Sequence, residues 1–245
     1  MHEEWGWLIA VYLFMGGLGA GACMVAAYLE FFGKESECDC GCPVSLVGAT
    51  LPGPQLLIGT VLLIIDLGQG LQKPLLIINL WTHFTSVMTW GVWILTFFIP
   101  LSLVYGFLEV MHCYPETWDR IINRPWLEKR VKLQSFLKPL PRNWVKKSIA
   151  GLSVFLGLCL ALYTGLLISA VGPAIPFWQS PNLPFIPLPI LPLLFLASAL
   201  STGIAVSVDL VDALLNHDTH EHIQSLPVIH VVVILLEALF IFLLI

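Results

Sequence analysis

The sequence predicts an all-α, polytopic transmembrane helix bundle, and three observations carry that prediction. Of the 245 residues, 58% are hydrophobic and only 11% are charged, whereas a soluble domain carries roughly 25% charged residues. Six apolar stretches approach or exceed the length of about 20 residues that a helix needs to cross a bilayer. No segment shows the period-two alternation of barrel strands. The formal net charge of −5 and the confinement of most bases to one segment exclude a basic nucleic-acid-binding face.

The six predicted spans cover residues 7–32, 55–72, 82–107, 148–171, 190–215 and 227–245. Backbone groups in hydrocarbon must form hydrogen bonds within their own segment, so each span is predicted to be a helix. In the first span, Gly17 and Gly21 lie four residues apart, a spacing that lets helices approach closely in lipid. A nucleotide-binding loop would need a strand before these glycines. We interpret the whole chain, 1–245, as one integral membrane domain.

The orientation follows from the bases. Nine of the eleven Lys and Arg residues lie between Arg120 and Lys147, in the connection 107–147. Cytoplasmic loops carry an excess of bases, so this connection is predicted to be an interfacial loop on the cytoplasmic side of the cell membrane. Alternation then places the N-terminus, the 73–81 connection and the Pro-rich 172–189 loop outside, with 33–53 and 216–226 inside. The N-terminus lacks the basic region and cleavage site of a signal peptide.

Ionisable residues within membrane spans are costly and are therefore candidates for function. Asp66 lies towards the outer end of the second span, and His83 lies at the outer entrance of the third. Asp209, His230 and Glu237 form a second set, nearer the cytoplasmic side. His230 and Glu237 are seven residues apart and share a helix face, so this set could relay protons from the cytoplasm. Each member could instead pair with a polar group on a neighbouring helix and serve packing.

Histidines and cysteines raise haem and metal sites as alternatives. A bis-histidine haem needs two ligands at matching depth on facing helices; no such pair is evident within the spans, which argues against a haem. Three histidines occupy the polar 216–222 turn, where solvated side chains are the default. Cys38, Cys40 and Cys42 alternate and lack the two-residue spacing usual in zinc and iron–sulfur sites. No metal site is predicted.

Four segments, in order along the chain, resemble the NrfD/PsrC family, which includes the polysulfide reductase membrane anchor. The first is EWGWLIAVYLFMGGLGAGA, similar to the family's aromatic-rich first helix. The second is IDLGQGLQKP, which resembles its Asp-Leu-Gly motif, and the third is FTSVMTWGVWIL, which resembles its third-helix start. The last is YTGLLISAVGPAIPFWQSPNLP with LPLLFLASALSTG, similar to its fourth and fifth helices. The family usually has eight or more spans, and six are visible here.

This resemblance implies a haem-free subunit that exchanges electrons between menaquinone or ubiquinone and a respiratory oxidoreductase complex. The implied partner is a ferredoxin-like iron–sulfur subunit on the outer face, connected to a molybdopterin catalytic subunit or to a multihaem cytochrome. Trp7, Tyr12 and Asp66 lie in the region that matches the family's quinone site, and His83 is added because of its predicted depth. Tyr12 stands where some members present a histidine.

Three other functions stay open on the residues alone. A cytochrome b-type anchor would handle quinone with haem, and a structural anchor would have no quinone site. A secondary transporter or ion channel would use the ionisable residues within the spans as a substrate path. The inverted repeat of broken helices typical of many transporters is not evident.

Overall fold

The computed structural model describes residues 7–32, 43–66, 87–114, 142–171, 189–215 and 225–244. All regular elements of these residues are α-helices, which we number α1 to α7. They are α1 (Trp7–Phe32), α2 (Pro43–Thr50), α3 (Pro52–Asp66), α4 (Val87–Cys113), α5 (Arg142–Val171), α6 (Ile190–Leu215) and α7 (Ser225–Leu244). With α2 and α3 joined as one span, six segments within these described ranges are long and apolar enough to cross a membrane. The predicted bundle of six helical spans is confirmed.

The second span begins at Pro43, so the prediction that residues 33–53 form a loop is wrong for their second half. The helix path continues past Pro52, which has no N–H to donate. The amide of Leu51 donates to Val47 O at 2.9 Å, and the amide of Gln55 donates to Leu51 O at 3.3 Å. Helix-breaking residues are tolerated within membrane spans when neighbouring groups satisfy the freed backbone. The span therefore consists of two short helices joined at Leu51.

Two helices also extend into the predicted 107–147 loop. α4 begins at Val87 and continues to Cys113, and α5 begins at Arg142. The helical part includes Glu109 and Lys146, whose side chains are 6% and 9% exposed. Each charge is buried against the other rather than solvated, which is why the helices continue through them. Residues 115–141 of the predicted loop lie outside the described residues, as do the 73–81 connection and positions 172–188 of the Pro-rich segment.

The spans form a bundle around α1, which packs against α2, α3, α5 and α6. Gly17 of α1 lies beside Ala199 of α6, and Gly21 lies beside Gly203, so these two helices run in the same direction. We call the end where α1, α4 and α6 begin the Trp7 end, and the end where they finish the Glu30 end. In its membrane-spanning window, α1 is 61% buried and α7 only 11% buried. α1 is thus the central helix and α7 a peripheral one.

Small residues permit the closest helix crossing. A Cβ atom on Gly21 would overlap the carbonyl group of Ala199, and one on Gly203 would overlap the backbone of Gly21. A Cβ atom on Gly17 would make an ordinary contact of 3.7 Å with Ala199 Cβ. The close packing predicted from the glycine spacing of the first span is confirmed, and it depends on Gly21 of α1 and Gly203 of α6.

Candidate functional site

Trp7 and Tyr12 are the two predicted quinone-site residues whose side chains the structure describes. Trp7 is 74% exposed, whereas Tyr12 is 4% exposed. Five positions along a helix correspond to a rotation of about 140° beyond a full turn, so the two side chains leave α1 in different directions. Trp7 lies at the surface of the bundle, in the manner of an interfacial aromatic residue. Tyr12 faces the interior.

Tyr12 belongs to the main buried cluster of the bundle, which extends along its length. Towards the Trp7 end this cluster also contains Leu63 of α3 together with Tyr163 and Leu167 of α5. The Tyr12 ring packs beside Gly59, where an added Cβ would lie 3.5 Å from Tyr12 Cδ2. Tyr12 and Tyr163 are near enough to interact electrostatically. The result is an apolar region of the bundle that contains two phenolic hydroxyl groups.

Gly91 of α4 makes the room that Tyr163 occupies. A Cβ atom at this position would overlap the ring and the hydroxyl group of Tyr163. Tyr163 was not among the site residues predicted from the sequence. The sequence feature that could have identified Tyr163 is its place in the segment YTGLLISAVG, where it is the one aromatic residue with a hydroxyl group within an apolar span.

Asp66 is the last residue of α3. It follows Gly59, the neighbour of Tyr12, by seven residues, which is about 10 Å of helix. Trp7 precedes Tyr12 by five residues, about 8 Å in the same direction. The backbones of Asp66 and Trp7 therefore lie at similar depth at the Trp7 end. His83 lies outside the described residues, so its expected place beside Asp66 stays a prediction.

The structure does not bring the predicted proton-relay residues into contact. His230 Nε2 lies 3.5 Å from Ser201 Oγ of α6. Asp209 is exposed and lies eight residues beyond Ser201, about 12 Å along the helix. Glu237 is half-buried and lies seven residues beyond His230, about 10 Å in the opposite direction. The contact of His230 with Ser201 matches the packing alternative, and the relay stays a prediction.

The Glu30 end holds a buried ionic cluster that the sequence analysis missed. Lys146 Nζ of α5 lies 2.7 Å from Glu30 Oε2 of α1 and 2.8 Å from Glu109 Oε2 of α4. Ser45 Oγ of α2 donates a hydrogen bond of 3.1 Å to Glu109 Oε1. The side chains of Lys146, Glu30 and Glu109 are 9%, 13% and 6% exposed. We call these four residues the Lys146 cluster.

The Lys146 cluster connects the ends of four helices. Glu30 lies in the last turn of α1, Glu109 near the end of α4 and Lys146 in the second turn of α5. Glu109 and Lys146 were predicted to lie in the interfacial 107–147 loop. The available signal was that Leu108, Val110 and Met111 continue the apolar run on both sides of Glu109.

No group of three or more His, Cys, Asp or Glu side chains suited to a metal ion occurs among the described residues. Cys38, Cys40, Cys42 and the histidines of the 216–222 turn lie outside them.

Comparison with known proteins identifies one family along nearly the whole chain. The family model described as polysulphide reductase, NrfD, matches residues 2–245. Protein NrfD of Escherichia coli (strain K12) is 29% identical over 248 aligned residues, which cover 97% of this chain and 70% of that protein. The C subunit of polysulfide reductase from Wolinella succinogenes is 32% identical over 206 residues, covering 82% and 56%. An NrfD homolog of Haemophilus influenzae is 28% identical over 221 residues, covering 89% and 62%. The chain therefore matches between 56% and 70% of the length of these relatives.

Proposed function

We propose that this chain, which belongs to the polysulphide reductase NrfD family, is the quinone-interacting membrane subunit of a respiratory oxidoreductase complex. The observation that carries the proposal is the family match over residues 2–245, which includes all six membrane-spanning segments. One relative is named as a component of polysulfide reductase, which supports a role as one subunit of a larger reductase. In this role the chain passes electrons between the quinone pool and a peripheral iron–sulfur subunit.

The described residues at the Trp7 end fit a lipid-soluble ring with polar oxygens. Leu63 and Leu167 supply apolar contact, and the hydroxyl of the buried Tyr12 can donate a hydrogen bond to an oxygen or accept one. A bound quinol supplies two electrons and two protons. A carboxylate at Asp66 is suited to accept a proton, because it stands at the end of α3 at the Trp7 end. Trp7 is placed to contact the ring from the lipid side or to anchor α1 at the interface.

The proposed partners are those that would accept electrons from a quinol bound at the Trp7 end. A ferredoxin-like iron–sulfur subunit docks at the Trp7 end on the outer face, and a molybdopterin catalytic subunit or a multihaem cytochrome completes the complex. We propose menaquinone or ubiquinone as the bound quinone, with no haem in this chain. The chain itself is the quinone-reactive subunit and does not act on the terminal substrate.

The function is tested with Asp66→Asn in the intact complex. Turnover driven by a water-soluble menaquinol analogue is expected to fall about 100-fold or more, the range for loss of a general acid or base. Turnover driven by an artificial donor that reduces the peripheral subunits directly is expected to stay unchanged. Tyr12→Phe serves as a second variant and is expected to raise KM for the quinol analogue. Tyr28→Phe is its matched control, since it removes the same hydroxyl group from the same helix near the Glu30 end.

Two results would contradict the proposal. Wild-type quinol turnover in both Asp66→Asn and Tyr12→Phe would favour a structural anchor without a quinone site at this end. A strong b-type α band in the reduced-minus-oxidised spectrum of this subunit alone would favour the cytochrome b-type anchor.

A further inference from the structure

We propose that the Lys146 cluster is a proton-exchange site at the Glu30 end of the bundle, separate from the quinone site proposed at the other end. Along α1, Glu30 is 18 residues from Tyr12, which is about 27 Å of helix. The two sites therefore share no side chain, and one can be present without the other.

The first observation is an imbalance of charge. One ammonium group, Lys146 Nζ, serves two carboxylates at 2.7 and 2.8 Å. With all three groups ionised, the trio carries a formal charge of −1, although the side chains are only 6–13% exposed. An uncompensated charge away from water is costly. A proton cancels it without displacing Lys146, whereas a metal cation would have to take up space between the carboxylates that the ammonium group already occupies.

The second observation is a buried tyrosine one helical turn from Glu109. Tyr105 is fully buried, and its hydroxyl group has no hydrogen-bond partner among the described residues. It precedes Glu109 by one helical turn and interacts electrostatically with both Glu109 and Glu30. Residues four apart on a helix lie on one face. A phenolic hydroxyl group both donates and accepts hydrogen bonds, so it can bond to a carboxyl group directly or through a water molecule.

The exposed fractions of the two carboxylates indicate which one a proton from the solvent reaches first. Glu30 is the most exposed carboxylate of the trio, at 13%, and lies in the last turn of α1. Glu109 is the least exposed, at 6%, and is held by Ser45. A proton from the solvent at this end bonds to a carboxylate oxygen, and the trio changes from −1 to neutral. Release to the solvent reverses the step, and Tyr105 is the next group in towards the middle of the bundle.

The helices that pack near the cluster carry other titratable or charged groups towards the Glu30 end. They are Cys23 and Tyr28 on α1, His112 and Cys113 on α4, Arg142 and Lys147 on α5, and Asp209 and Asp212 on α6. Helix α2 has none among its residues. Lys147 and Asp209 are exposed, so solvent screens their charges.

The experiment measures the protonation of the carboxyl groups directly. Infrared spectra of the full chain in lipid nanodiscs are recorded against pH, in light and in heavy water. We expect the C=O stretching band of one buried, protonated carboxylic acid, which shifts in heavy water because the proton exchanges. The band is expected to be lost in Glu109→Gln. Asp212→Asn, a half-buried acid at the same end, is the matched control and is expected to keep it.

Tyr105→Phe tests the cluster without changing its charge. This variant provides the test if Glu109→Gln does not fold. Its band is expected to shift in frequency, because the carboxyl group loses a nearby hydroxyl group that can bond to it directly or through a water molecule. The proposal is overturned if no exchangeable carboxylic acid band exists at any pH at which the chain stays folded, or if the band survives Glu109→Gln. It is equally overturned if the chain binds sodium in place of a proton, seen as a band that disappears on adding NaCl and persists in choline chloride. None of these measurements requires quinol turnover, so the quinone proposal is tested separately.

Discussion

At the scale of single residues, Lys146 is the cation that makes two buried carboxylates compatible. Removing it by Lys146→Met leaves Glu30 and Glu109 close together without a counter-charge. We expect a loss of about 3–5 kcal/mol in the free energy of unfolding, the usual cost of removing one partner of a buried ion pair. The measurement is equilibrium unfolding in mixed micelles with increasing denaturing detergent. The loss should shrink as the pH falls, because protonated carboxyl groups no longer repel each other.

Lys147 provides the matched control for this substitution. It is the next residue of α5, carries the same charge and is exposed. Lys147→Met is expected to change the free energy of unfolding by less than about 0.5 kcal/mol, as surface substitutions usually do. Equal effects of the two substitutions would mean that the ion pairs of Lys146 contribute no stability.

The sequence predicted the role of a residue when that role depends on its neighbours along the chain. It did not predict the role of a residue whose partners are distant in sequence. A spacing of four residues was enough to identify the contact glycine Gly21. Glu30, Glu109 and Lys146 acquire their role only by meeting across three helices, although their residue numbers differ by 37 to 116. Taken singly, each is one charge near the end of an apolar run, and such charges are ordinarily solvated.

At the scale of helices, the crossing of α1 and α6 depends on the absence of a side chain at Gly21. Gly21→Ala would place a methyl group inside the carbonyl of Ala199, so the helices must separate. We expect a loss of at least about 2 kcal/mol in the free energy of unfolding, within the range for overpacking. Gly17→Ala adds the same methyl group one turn away at an ordinary contact of 3.7 Å. Its expected effect is neutral or slightly stabilising, and a reversed ranking would contradict the described crossing.

Helix ends were less predictable than helix number. Hydropathy gave the fifth span its observed bounds, Ile190–Leu215. It placed the start of the second span after the prolines, because a proline interrupts a helix in water. In the structure the apolar residues of α2 are packed against α1 and α4, and the span includes Pro52. Tertiary packing determines where the second span begins, and this packing cannot be read directly from a single sequence.

At the scale of the whole molecule, the few polar and charged side chains inside the bundle differ in kind between its two ends. The Trp7 end has buried phenols and apolar walls, with Asp66 at the end of α3. The Glu30 end has the described ion-pair trio, and α7 packs on the periphery with 11% of its span buried. The six-span bundle was predictable because lipid demands long apolar helices. The difference between an end with buried tyrosines and an end with ion pairs could not be predicted from the sequence, because it depends on how the helices pack.

The orientation of these two ends is the last prediction, and the trypsin sites of the chain test it. Lys34 and the bases of the 107–147 segment all belong to the predicted cytoplasmic side, and Lys73 is followed by Pro74, a bond that trypsin does not cut. Trypsin is therefore expected to cut the wild-type chain in inside-out vesicles and to leave it intact in right-side-out vesicles. Pro74→Ala is the matched control, since it should expose one cleavable bond, after Lys73, to trypsin on the opposite side. Cleavage of the wild-type chain only in right-side-out vesicles would reverse the orientation and place the Trp7 end in the cytoplasm.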